Sequence, residues 1–177
     1  MKKATYPIVL AVLCLCVLTA QRMPTGATSR LGHLPKDKVA KKKLQPVNGS
    51  NVSLVSMRGQ VVVLDFFATW CGHSKLHLPS VERISEEDGP RGARVIGLAV
   101  EEKDSVVEGF VKDHKITYPV ATISDPVFGS FVESRDVSVP QTLVYGRDGR
   151  LVGHFVGHSA EQDAELAATV KRELEKP

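Results

Sequence analysis

Cysteine is what this sequence most lacks. Of three cysteines in 177 residues, Cys14 and Cys16 sit inside the apolar run Ile8 to Leu18 (IVLAVLCLCVL), so the remainder keeps Cys71 alone. A single thiol excludes an internal disulfide framework. Long apolar runs are also missing after Leu18, and nothing there is long enough to cross a membrane. Acidic residues are scarce at one end: residues 1–43 hold nine of the 23 Lys and Arg but one acid, Asp37. From Leu44 onward 14 basic residues face 19 acidic ones, a net charge of −5. The basic character therefore belongs to the N-terminal part and is no argument for nucleic-acid binding by the folded part. Internal repeats are absent too.

What is present at the N-terminus reads as an export signal. Lys2 and Lys3 precede the apolar run, and small-residue sites follow at Leu18-Thr19-Ala20 and Thr25-Gly26-Ala27. Residues 1–20 are expected to be a cleaved signal peptide, with a retained N-terminal anchor as the alternative. Residues 21–43, rich in Thr, Gly, Ser, Pro and Lys, read as a flexible basic linker. Its KDKVAKKK cluster is a solvated tether or a weak contact with an anionic membrane. Residues 44–177 are then one domain, exported to an oxidising compartment, periplasmic in a Gram-negative bacterium.

Within that domain, patterns alternate between strand and helix. SNVSLVSM alternates as a strand should, after a turn at Asn48-Gly49. Val61 to Phe67 (VVVLDFF) is a near-continuous β-branched and aromatic run, which marks a strand buried on both faces. A helix is predicted over 72–88, interrupted by Pro79, then a strand over 94–100 and a helix over 104–114 with Asp104 as N-cap. A strand over 118–123, a helix over 125–134 and a hairpin over 142–155 about Arg147-Asp148-Gly149 follow. An amphipathic helix over 160–175 closes the chain. The order argues for an α/β fold, a mixed sheet flanked by helices.

Cys71 falls between the buried strand and the first helix. Amides and the macrodipole at a helix N-terminus favour the thiolate, the nucleophilic form, and a protonated His73 would favour it further. Trp70, beside it, is expected to form part of a substrate surface. His73 and His77 share a helix face as i and i+4, and are expected to be solvent-exposed. Cys71 and His77 lie about 240° apart on an ideal helix, so no metal site is expected from these three. His114, His154 and His158 have no partner legible in the sequence, and Lys75 is expected at the surface.

VVVLDFFATWCGHSKLHLP, with VSVPQTLVYGRDGRLVGHFVG some 70 residues later, resembles the active-site segments of the thioredoxin superfamily. The element order most resembles its exported TlpA/ResA-type thiol–disulfide oxidoreductases over roughly residues 44–175. The resemblance implies a thioredoxin-like fold with an N-terminal β-hairpin and an inserted strand–helix segment (118–134). It implies that Cys71 is the attacking cysteine and that Ser74 stands at the resolving-cysteine position. Pro140 corresponds to the cis-proline facing the site, with the Val139 backbone pairing with an extended substrate. Asp65 corresponds to a buried acid that moves protons. No cofactor is implied, and the expected partners are protein thiols, protein disulfides or small thiols, acting on a monomer.

Ser74, natural or an engineered replacement of cysteine, is the main departure. One sulfur can attack a disulfide but cannot release itself by closing an internal bridge. The function expected is mixed-disulfide exchange, isomerase-like or removing thiol adducts. The alternative is a non-catalytic thioredoxin-fold module that binds a partner protein or metal. A peroxiredoxin-type peroxidase is disfavoured, because Leu64 and Ala68 stand where that family has Pro and Thr before its cysteine.

Overall fold

The computed structural model describes residues 28–29, 43–133 and 136–177. The expected export signal over 1–20, and the linker over 21–43 apart from Thr28, Ser29 and Lys43, lie outside the described residues.

Strand β1, Val61–Phe67, is buried at all seven positions. Side chains along a strand alternate between its faces. Val61, Val63 and Phe67 therefore join one core, and Val62, Leu64 and Phe66 join the other. Asp65 shares the parity of the first set. Helices α1 (Gly72–Asp88), α2 (Asp104–Asp113) and α4 (Ala160–Leu174) cover that first face through residues such as Leu78, Val81, Phe110, Leu166 and Val170. The short helix α3 (Asp125–Phe131) and a 3-10 turn over Leu54–Met57 cover the second, where Phe66 packs on Phe128 and Phe131.

The remaining strands are β2 (Ala93–Val100), β3 (Val120–Ile123), β4 (Gln141–Tyr145) and β5 (Leu151–Val156). Their spatial order is β3-β2-β1-β4-β5. β1, β2 and β3 are mutually parallel, and β4 and β5 add antiparallel at the other edge. The fold is the mixed α/β sheet flanked by helices that the chain pattern implies, and it is thioredoxin-like. A separate two-residue ladder joins Thr28–Ser29 to Val132–Glu133.

Three local expectations are corrected. The N-terminal hairpin shrinks to one bridged pair, Leu44 with Val52, about Gly49 at φ +123°. Beyond it SNVSLVSM curls into the 3-10 turn, because burying Leu54 against the second core needs a tight turn at the sheet surface. Helix α1 runs through Pro79 without interruption. Pro79 and Lys75 are both exposed, so water can take the Lys75 carbonyl that proline leaves without a donor. Lys103, and not Asp104, is the N-cap of α2; Asp104 lies in the first turn, where its carboxylate accepts from the Thr122 hydroxyl.

Candidate active site

The C-terminal end of β1 delivers the chain to Cys71, which is the N-cap of α1. The connection is short and well tied. Cys71 N–H donates to the Ala68 carbonyl at 3.1 Å, and both Thr69 N–H and its hydroxyl donate to the Glu102 carboxylate at 2.8 and 2.5 Å. The thiol is half-buried and donates to the Val139 carbonyl at 3.3 Å. Burial pushes the Cys71 thiol up, but hydrogen bonds from Ser74 and from the His73 amide, aided by the Lys75 charge, outweigh it and leave the group below its ordinary value. Thiolate character at a helix N-terminus is what nucleophilic sulfur chemistry requires.

Ser74 sits one turn into α1 and is 1% exposed, its Oγ 3.4 Å from the Ala68 amide. His73 is exposed and points the site no further than its backbone. Trp70 is 75% exposed and Val137 72%. With Ala68, Phe128 and Val139 they line an apolar cavity of about 550 Å³ with Cys71 in its wall. Opposite the sulfur the Val139–Pro140 bond is cis and Pro140 is buried. Buried Gln141 holds this loop: its side-chain amide donates to the Asp136 and Ser138 carbonyls at 3.1 and 2.8 Å, and His154 bonds its Oε1 at 2.9 Å. The structure thus brings Trp70, Cys71, Ser74, Val139 and Pro140 to one place.

Asp65 lies deeper, 1% exposed. Thr142, its cross-strand partner, donates to Asp65 Oδ1 at 3.1 Å. His77 Nε2 is 3.6 Å from the same oxygen and 2.9 Å from Thr142 Oγ1. Burial holds the Asp65 carboxyl above its ordinary range; His77 and the Thr142 hydrogen bond pull it down by less, and Asp163 adds to the rise.

His77 corrects the sequence reading. It is 2% exposed, not solvated like His73. The buried face of α1 runs through Ser74, His77, Leu78, Val81 and Ile84, and its edge falls between His73 and His77. His158 also gains a partner, Asp163, and His154 gains Gln141. Glu102, Gln141, Thr142 and Asp163 were not legible as site residues, because each acts through a contact made more than a dozen positions away in the chain or through a loop conformation. The only local hint was a histidine within a strongly apolar helix face.

Comparison with known proteins agrees with the fold. The AhpC/TSA family matches residues 35–154. A thiol-disulfide oxidoreductase ResA of Bacillus thuringiensis subsp. konkukian is 25% identical over 120 residues, 67% of this chain and 68% of its own. ResA of Bacillus subtilis is 26% identical over 119 residues, 67% and 65% respectively. Among solved structures, one from Bacteroides thetaiotaomicron, provisionally described as a protein disulfide isomerase, superposes with a TM-score of 0.74 at 26% identity, covering 85% of this chain and 94% of that one. A thiol:disulfide interchange protein of the thioredoxin family from Chlorobium tepidum gives 0.67 at 26%, covering 75% and 92%.

Proposed function

The chain belongs to the AhpC/TSA family and is related to thioredoxin-like thiol–disulfide oxidoreductases, and from that premise we propose that it performs thiol–disulfide exchange through the single sulfur of Cys71. The observation that carries this reading is the placement of a low-pKa thiol at the head of α1, in the wall of an apolar cavity and against the Val139 carbonyl. The Cys71 thiolate attacks one sulfur of a substrate disulfide, forming a mixed disulfide and expelling the other sulfur as a thiolate that takes a proton. A second thiolate, from the substrate or from a small thiol, then attacks the mixed disulfide and restores Cys71. The protein gains and loses no electrons over the cycle. Trp70 and Val137 supply the apolar floor for the substrate chain, and the Val139 main chain beside Pro140 pairs with it. Asp65 is a proton reservoir beneath the strand end.

Ser74 keeps the site from closing on itself, so the mixed disulfide waits for an outside thiol. Protein thiols and disulfides or small thiols are the substrates, and export through residues 1–20, with 21–43 as tether, puts the domain where disulfides persist. No helix among the described residues is long and apolar enough to cross a membrane.

A glutathione-capped peptide tests this reading. The wild-type chain should acquire one glutathione or peptide adduct at Cys71 by intact mass and peptide mapping, and excess glutathione should turn it over. Cys71→Ser should lose both adduct and turnover. A wild-type chain that forms no adduct at Cys71 would sink the proposal.

A further inference from the structure

A second cluster of reactive side chains lies where α1 meets the start of α4. His77 on α1, His158 in the turn after β5, and Asp163 in the first turn of α4 converge there. His77 Nδ1 is 2.8 Å from Asp163 Oδ1, and His158 Nδ1 is 3.2 Å from Asp163 Oδ2. One nitrogen or oxygen from each residue falls within a sphere of mutual distances no greater than 4.8 Å. Ser80 Oγ also donates to Asp163 Oδ2 at 2.5 Å.

The cluster's nitrogens and oxygens converge on one point. Thr142 spends its hydroxyl hydrogen on Asp65, so its oxygen accepts from His77 Nε2. The other ring nitrogen of His77, Nδ1, faces a carboxylate oxygen of Asp163 2.8 Å away. His158 Nδ1 is buried and makes no hydrogen bond of proper geometry, although Asp163 is within reach. The three side chains thus turn two ring nitrogens and a carboxylate toward one another, where a single ion can meet all of them.

We propose that His77, His158 and Asp163 form a binding site for a borderline divalent transition-metal cation of the zinc class. The ligand set suits such an ion, because imidazole and carboxylate are its ordinary partners. Donor atoms bound at about 2.0–2.2 Å from one ion sit roughly 3–3.5 Å apart, and the observed spacings of 2.8 and 3.2 Å need only small side-chain shifts to reach that. Support behind the ligands is present as well. His77 donates its other nitrogen's hydrogen to Thr142, which is fixed by Asp65, an arrangement that sets the tautomer and orients the ring. The N-terminal dipole of α4 opposes a cation with roughly half a unit of positive charge, and the Asp163 carboxylate, in contact with the ion, outweighs it. A cleft of about 320 Å³ between α1 and α4, lined by Ser80, Arg83, Asp163 and Lys171 among others, reaches the Asp163 carboxylate. Three protein ligands leave one position for water or a ligand.

The site borders the exchange site through Asp65 and Thr142, which His77 contacts, and takes no ligand atom from Cys71. The test uses the full chain with Cys14, Cys16 and Cys71 each changed to Ser, stripped with chelator, so that no thiol competes for the ion. Titration with Co2+ should give saturable visible d–d bands at one ion per chain without a thiolate charge-transfer band. Zn2+ should displace it, and bound metal should raise the melting temperature. His158→Ala, on a turn and making no hydrogen bond, and Asp163→Asn should each weaken Co2+ binding at least about tenfold while circular dichroism shows the fold intact. Absence of saturable binding, with a proton the only cation in the cluster, overturns the proposal. So does undiminished binding in a folded His158→Ala.

Discussion

Ser74 shows how much one buried hydroxyl sets for a neighbouring thiol. It cannot be oxidised, yet its hydrogen bonds are the largest influence lowering the Cys71 thiol against the upward push of burial. Ser74→Ala should therefore shift the alkylation profile of Cys71 to higher pH and slow its reaction at neutral pH, since the thiolate fraction falls. An unchanged profile would assign the activation to the helix terminus instead. Asp65 carries the opposite balance. Its carboxyl is held up by burial, so between about pH 3.9, the unfolded value, and its raised native value, the native chain binds the extra proton. Stability consequently falls as pH rises through that window and stays reduced above it. Asp65→Asn, which keeps an acceptor for Thr142, should melt higher than wild type at neutral pH, and the advantage should vanish below about pH 4. A lower melting temperature at neutral pH would show that the contact with His77, 3.6 Å away, outweighs the burial cost.

At the scale of elements, the site depends on how closely β2 and β1 approach α2 and β3. Gly97 pairs with Asp65 across the parallel ladder. A Cβ there would meet Tyr118 and Val120 at 3.0 Å and Phe67 at 3.2 Å. Gly97→Ala should cost roughly 1–3 kcal/mol in urea denaturation, the usual price of overpacking a filled core. A loss near zero would mean that Tyr118 yields without disturbing the sheet. The strands and helices themselves were largely legible in the sequence. VVVLDFF and RVIGLAV announce buried strands by composition, and the four helices fall within a few residues of their expected bounds. The strand read from SNVSLVSM contributes only the Val52 bridge to Leu44, because alternation over so few residues also suits a 3-10 turn that buries one leucine. Likewise the periodicity of α1 put His77 beside His73, but the burial boundary between them depends on where α4 packs.

Taken whole, the molecule is a thioredoxin-like scaffold whose described residues hold one cysteine, Cys71. We propose residues 44–177 as its folding unit, since Leu44, Pro46 and Val47 are already bridged to Val52 and to β3. Ser74→Cys should convert the scaffold into a two-electron reductase: the variant should form an internal disulfide with Cys71 and reduce insulin when supplied with dithiothreitol. If that variant stays reduced and inactive under oxidising conditions, the site is built for something other than a redox pair. The sequence by itself determined the alternation of strands and helices, the junction that presents Cys71 at a helix N-terminus, and the serine in place of a thiol at position 74. Those follow from local pattern and from what each side chain can do chemically. Only the tertiary structure decided which groups surround the sulfur and the buried acid. The Val139 carbonyl, Thr142, His77 and Asp163 reach their partners across 65 to 86 positions of chain, where contact is set by sheet register and helix docking, not by spacing.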